Sequence, residues 1–498
     1  MTRLVGFTLG SCHSLSKAVV ICLLLCGVSA FAARKADSPA DLFRKCREAE
    51  GGKALYKARN GLAEGTALDS HGREGRFSLR TSAPDSFRLA LDFGPGSRVL
   101  CYNGMSAWRR DGNRSSTVSG EAADCFRLLG LLVNHRWHEP KKSRLAVVPA
   151  VTAEPWDGGS TASVQVSLGQ ARCRLHFDPQ TGLLCGAAFK EPPERFSLSL
   201  GNYREQDGIR EPGKLRLAIG EEEVTLTVVT FDRRSTPDTH AFSFPVSSDG
   251  RPLPDLPELV ESLGRHQAEM DSRRERYSCR KTVTAWKRDK KGKETQEYTG
   301  LYEVTPAGGR LVDRLIAENG RQLTEKRQAE EDRRVEKEME RLAAGRKNER
   351  EIEFTASDFL RCCSIDSLRR ESWKGRPVLI ADFAPRLGHK TRNLVEKLIG
   401  GLAGNVWIDE EEAQIIRLEA RLTEKFKVGG GLVASLGSCT VLIEQEKINQ
   451  DAWLPSRIEV DLVARVFLFF GVDTHQVIRY SDYQKVDTRI LPGPADPS

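Results

Sequence analysis

The stretch FDPQTGLL (177–184), with FSLSLGNYREQDGIREPGKLRLAI (196–219) after it, decides the fold because its order recurs later in the chain. The counterpart is WIDEEEAQIIRLEA (407–420), followed by TVLIEQEKINQDAWLPSRIEVDLV (440–463). Each copy reads as strand, acidic turn, strand, polar loop ending in proline, strand. A further apolar strand follows each, VTLTVVTF (224–231) and ARVFLFF (464–470). One supersecondary unit used in both halves predicts two β-rich domains of related design.

The segments around these units fit the same plan. ADLFRKCREAEGGKALYKA (40–58) reads as a helix interrupted by Gly51-Gly52, and FSLRTSAPDSFRLALDF (77–93) as the clearest strand. In the latter Phe87, Leu89, Leu91 and Phe93 alternate with Arg88, Ala90 and Asp92, which makes one face apolar. RVLCYNGMSAWRR (98–110) reads as a hairpin about Asn103-Gly104, RLVDRLIAENGRQL (310–323) turns at Asn319-Gly320, and RRESWKGRPVLIADF (369–383) is a hairpin about Lys374-Gly375. Helices are predicted at 125–137, 258–277, 354–363 and 390–400. The most charged stretch, 322–354, is a solvated helix with a narrow stripe of Val335, Met339 and Leu342. SSDGRPLPDLP (247–257) is the best domain boundary. The expected division is a signal peptide at 1–32, domains at 33–246 and 258–490 flanking that linker, and a disordered tail at 491–498. Antiparallel strands with helices at the start and middle of each half predict an α+β fold, helices packed on one face of a curved sheet.

The run AVVICLLLCGVSAFA (18–32) follows Arg3 and Lys17 and ends in Ala30-Phe31-Ala32, the pattern of a cleaved export signal. LLLCG resembles a lipid-attachment box, but Leu25 occupies the position where that box wants a small residue. The mature chain keeps nine cysteines, Cys46, Cys101, Cys125, Cys173, Cys185, Cys279, Cys362, Cys363 and Cys439. An odd number leaves at least one thiol unpaired within the chain, and one or two disulfides are open to the rest. The vicinal Cys362-Cys363 pair is expected to put one thiol in the core and one outside it. With 76 basic and 69 acidic residues the surface is mixed. That modest surplus suits an anionic membrane face and is no nucleic-acid footprint.

Catalytic motifs are missing from the sequence: there is no phosphate-binding glycine loop, no G-x-S-x-G elbow and no H-E-x-x-H. The triple glycine at 429–431 reads as a bend. His135 and His138 are three apart, with no carboxylate or thiolate in ligand spacing nearby, so no metal and no cofactor is expected. Trp108, Trp407 and Trp453 stand at hairpin edges, where each serves either packing or a ligand cavity.

The Gly51-Gly52 helix, APDSFRLALDF, YNGMSAWR, FDPQTGLL and NYREQDGIREP resemble, in this order, the LolA/LolB-like superfamily of bacterial outer-membrane lipoprotein-sorting carriers. The resemblance covers roughly 40–245, and GNVWIDEEEAQIIRLEA with INQDAWLPSRIEV extends it to a more divergent second copy. Where Leu is usual before the loop proline, Glu211 precedes Pro212, whereas Leu454-Pro455 keeps the usual form. The resemblance implies two incomplete antiparallel β-barrels wrapped around helices, an apolar concave surface that holds acyl chains, and no catalysis. It implies an exported, periplasmic carrier of a lipid or lipidated protein. The alternative is a structural module of an envelope complex with filled cores. The ligand-facing set expected in the first domain is Phe77, Leu79, Phe87, Leu89, Leu91, Phe93 and Trp108. In the second it is Trp407, Ile416, Leu418, Ile443, Ile458 and Val460.

Overall fold

The computed structural model describes residues 37–486, apart from 95, 191–195, 234–239, 246–250, 290–293, 308–309, 345–358, 360, 387, 390, 392–393, 424, 429–433 and 467–469. The export signal, the C-terminal tail, the triple glycine, much of the linker and most of the helix expected at 354–363 lie outside the described residues.

Two antiparallel sheets form the molecule, of fourteen and twelve strands among the described residues. In the first, Asn60–Asp69 pairs with the last strand, Glu222–Asp232, at the middle of the sheet. One wing runs outward through Glu74–Ser82, Ser86–Asp92, Ser97–Tyr102, Ala107–Asp111 and Arg114–Val118. The other runs through Ile209–Ile219, Phe196–Gln206, Leu184–Lys190, Ala171–Phe177, Gly159–Leu168 and Ala146–Val147. The second sheet repeats the scheme: Tyr277–Arg288 pairs with the last strand, Phe470–Lys485, and the meander Leu402–Asp409, Gln414–Leu422, Ala434–Ile448, Ala452–Val466 leads to it. The two edges of each sheet do not pair, so neither closes into a barrel. This is the expected α+β fold of open half-barrels.

Helix α1 (Pro39–Glu50) starts at a capping box in which Ser38 and Asp41 satisfy each other's backbone N–H groups. It buries Leu42, Phe43 and Cys46. Helix α2 (Gly120–Val133) packs against Ser86–Asp92 and Ser97–Tyr102 on one wing and Ala171–Phe177 on the other, so it fills the curl of the sheet. Gly130 permits this approach, because a Cβ there would lie 1.8 Å from the Asp85 carbonyl oxygen. In the second half, helix α3 (Leu256–Arg274) contributes Leu259 and Leu263 to a core shared with Leu379, Phe383, Val406 and Leu418. The charged helix α4 (Glu325–Ala343) buries no residue. Val335 and Leu342 are half-buried, but Met339 is 41% exposed, and polar contacts from Glu331 to Leu315 N–H and from Asp332 to Arg314 dock the helix instead.

Several local readings change. The segment 77–93 is two strands joined by a turn at 83–85. The loops read as ending in proline are strands. A two-residue turn at Asp207-Gly208, with φ of 51° and 76°, joins Phe196–Gln206 to Ile209–Ile219, and Pro212 sits inside the latter opposite Tyr203. Pro455 likewise lies inside Ala452–Val466, beside a bulge at Glu444/Gln445 that accommodates its missing N–H. The strand expected at 464–470 is divided: 464–466 end the long Ala452–Val466, and the counterpart of Glu222–Asp232 is Phe470–Lys485. None of the nine cysteines is in a disulfide. Cys362 and Cys363 are both buried, since the chain passes from helix to strand between them and both side chains reach one core.

Candidate functional site

Helix α1 ends at Glu50, which is buried although a carboxylate is disfavoured at the negative end of a helix. Its compensation comes from the end of α2. There Asn134 is the cap, His135 N–H donates to Leu132 O and Arg136 N–H to Leu131 O, the crossed pair of a Schellman stop. The residue in the left-handed position is His135, with φ of 54°, where glycine is usual. That unfavourable backbone places a buried imidazole 2.7 Å (Nδ1) from Glu50 Oε2 and 3.1 Å (Nε2) from Glu211 Oε2. Arg233 Nε donates to Glu211 Oε1 at 2.9 Å. Two carboxylates, an imidazole and a guanidinium thus form one chain inside the first half-barrel.

Each group shifts the others. Burial works against charge on His135, but Glu211 and Glu50 outweigh it and raise its pKa to about 9. Burial also opposes ionisation of Glu50, yet His135 and His138 hold it well below the usual carboxylate range. Glu211 is lowered in the same way, by His135 and then Arg233 against its own burial. Burial, then Glu50, pushes the Cys46 thiol far up.

The chain lies at one end of a narrow cavity of about 40 Å³, lined by Leu79, Leu132, Leu198, Leu215, Val228 and Phe231 among others. That volume holds a few waters and no acyl chain. On the outer side of the same corner, α1 and residues 138–149 enclose a cleft of about 670 Å³. Pro39, Ala40, Phe43, Pro140, Val147 and Pro149 supply its apolar lining, while Arg44, Arg47, Lys141 and Lys142 stand around it. Arg44 pairs with Asp41 and Glu48, and Lys142 with Glu139. Arg47 and Lys141 have no acidic partner among the described residues. His138 belongs to the cleft and touches Glu50 behind it, at 3.1 Å.

Of the residues expected to face a ligand, only Leu79 borders the inner cavity. Phe77, Phe87, Leu89 and Leu91 are buried in the core around α2, with Phe93 packed at its edge. Trp108 points to the other face of the sheet, packing with Val99, Cys101 and Phe242 and donating its indole N–H to Phe242 O at 3.1 Å. In the second half Leu418, Ile443 and Val460 pack on one core and half-buried Ile458 pairs across strands with Ile443. Trp407 and Ile416 belong to a different cluster, with Val378, Ile380 and Trp453. Strand alternation put Ile416 and Leu418 on one face. A bulge at Trp407/Ile408 turns Ile416 to the opposite side.

The sequence reading missed Glu50, Glu211 and Arg233, and set His135 and His138 aside for want of a nearby carboxylate or thiol. Both come from α1, far away in sequence. One signal pointed there: Glu211 stands where the second copy has Leu454, which is fully buried among Tyr277 and Ala452.

No family model matches this chain, and no curated protein does. Among solved structures, a LolA superfamily protein from Nitrosomonas europaea is similar to it at 11% identity, covering 42% of this chain and 98% of that one with a TM-score of 0.28. A DUF1329 family protein from Desulfovibrio piger is similar at 12% identity, covering 41% and 95%, also with a TM-score of 0.28.

Proposed function

We propose that this protein is an exported, non-enzymatic binding protein that carries a lipid or lipidated protein. The cargo sits in the outer cleft between α1 and residues 138–149. The observation that carries this reading is the cleft itself: about 670 Å³, apolar-floored, and bordered by Arg47 and Lys141 with no acidic partner among the described residues. Its size falls in the range of small-molecule sites. Burying some 14 methylenes at about 0.8 kcal/mol each gives on the order of 11 kcal/mol. Association costs on the order of 4–15 kcal/mol. An acyl chain alone is therefore marginal, and an anionic head group against the two cations supplies the remainder.

This reading moves the ligand from the concave face to the outer corner, because α2 and the core side chains occupy the former. The filled interior also favours a second reading, an interaction module of an envelope complex without lipid cargo. Native mass spectrometry of protein purified from its own envelope separates the two. Co-purifying lipid supports the carrier, and absence of lipid together with no uptake of a fluorescent fatty acid supports the module.

A further inference from the structure

We propose that Cys46, Glu50 and His138 form a binding site for a borderline-soft divalent cation such as zinc. The sulfur, a carboxylate oxygen and a ring nitrogen all lie within 4.8 Å of one another, and all three residues are buried. Cys46 and Glu50 are one helical turn apart on α1, so one face of that helix offers both, and His138 closes the set from the segment after α2.

The placement of His138 is the independent observation. Its Nδ1 lies 3.3 Å from the His135 carbonyl oxygen, which can only accept, so Nδ1 carries the proton. Its Nε2 points at Glu50 Oε2 from 3.1 Å and is buried without a formed hydrogen bond. Cys46 Sγ is 3.3 Å from Glu50 Oε1. Donors on a tetrahedral zinc, with bonds of about 2.0–2.3 Å, sit roughly 3.3–3.8 Å apart, and the Glu50 carboxylate already lies close to both other donors, to Cys46 through Oε1 and to His138 through Oε2. The shell behind the donors is already built. His135 holds the Glu50 carboxylate, Glu211 holds His135, and the His135 carbonyl fixes the His138 tautomer, as in protein zinc sites. Three protein donors leave a fourth position open on a tetrahedral ion. The site is independent of the cargo reading, because its donors do not depend on what fills the cleft.

Titration of the reduced, chelator-treated full chain with Co²⁺ tests it. One equivalent is expected to give a thiolate-to-cobalt charge-transfer absorption, displaced by Zn²⁺, and zinc is expected to raise Tm. Cys46→Ser should remove the band, and His138→Gln should weaken binding at least about tenfold. Cys362→Ser, in the cluster with His389 and Glu396, should leave both unchanged. Circular dichroism checks folding, and if Cys46→Ser does not fold, His138→Gln decides. A wild-type chain with no band at one equivalent, a band kept in folded Cys46→Ser, or unweakened binding in folded His138→Gln overturns the site.

Discussion

His135 Nδ1 lies 2.7 Å from Glu50 Oε2, so the C-terminal ends of α1 and α2 are joined by a buried ionic hydrogen bond. Glu211 on the far side of the ring and Arg233 beyond it balance the charges. Glu211→Leu copies the residue of the second half and leaves two cations against one carboxylate. The expected cost is about 3–5 kcal/mol in urea unfolding of the metal-free chain, as for other broken buried pairs. Adding Arg233→Leu should recover much of it. A Glu211→Leu chain as stable as wild type would show that the network contributes nothing.

How much of this was legible follows from the range of each signal. Asn319-Gly320 and Lys374-Gly375 are two-residue turns because such hairpins need positive φ locally, which the sequence displays, whereas Asn103-Gly104 opens a four-residue loop in which Asn103 Oδ1 accepts the Met105 and Ser106 N–H groups. The repeated meander was legible for the same reason, since FDPQTG and WIDEEEA are both turns organised by one aspartate. Asp178 Oδ1 accepts Gln180 N–H and Asp409 Oδ1 accepts Glu412 N–H. The site was not legible, because Glu50, His135, Glu211 and Arg233 come from four segments that only the half-barrel brings together. Ile416 misled for a smaller reason. One extra residue in a strand inverts the faces after it, and alternation alone does not reveal a bulge.

Asp124 on α2 supplies a pH dependence. Burial pushes its carboxyl from 3.8 up to about 6, against the lowering effects of Gln170 N–H and Arg127. The folded protein therefore holds this proton more tightly than the unfolded chain does. The stability it contributes is full below pH 3.8 and is lost as pH rises, the loss being complete above about 6. Asp124→Asn should gain about 2–3 kcal/mol at neutral pH and flatten that part of the stability profile. Denaturant unfolding across this range checks it, and an unchanged profile would contradict the assignment.

Fully buried Asp382 is one of several links between the two halves, beside Glu371 on Thr117 and Glu419 on the Gly120 N–H. It accepts from Arg369 Nη1 and Asn405 Nδ2, both at 2.7 Å, in its own half. From the first half it accepts Ser106 Oγ at 2.9 Å and Asn103 Nδ2 at 3.3 Å. Asp382→Ala removes the nearest anion of buried Arg369, leaving Glu371 at 3.5 Å, and should cost about 3 kcal/mol. Calorimetry should then show a lower Tm. An unchanged Tm would show that Asp382 contributes nothing to stability.

Leu89 distinguishes a wall from a core. It is 5% exposed within the core around α2. Leu89→Ala should therefore cost about 2–5 kcal/mol, as for a buried leucine. At temperatures where the variant remains folded, fatty-acid uptake should be unchanged. Loss of uptake with little loss of stability would return the ligand to the concave face.

The most direct test of the account is equilibrium binding of a fluorescent fatty acid to the wild-type chain and to Arg47→Glu/Lys141→Glu. Both substitutions lie at the outer cleft and break no ion pair. The predicted result is saturable binding at one site, weakened about tenfold or more by the double reversal, equivalent to about 1.4 kcal/mol or more. Binding that ignores the reversal, or no saturable binding to the wild-type chain, would contradict a cargo site between α1 and residues 138–149.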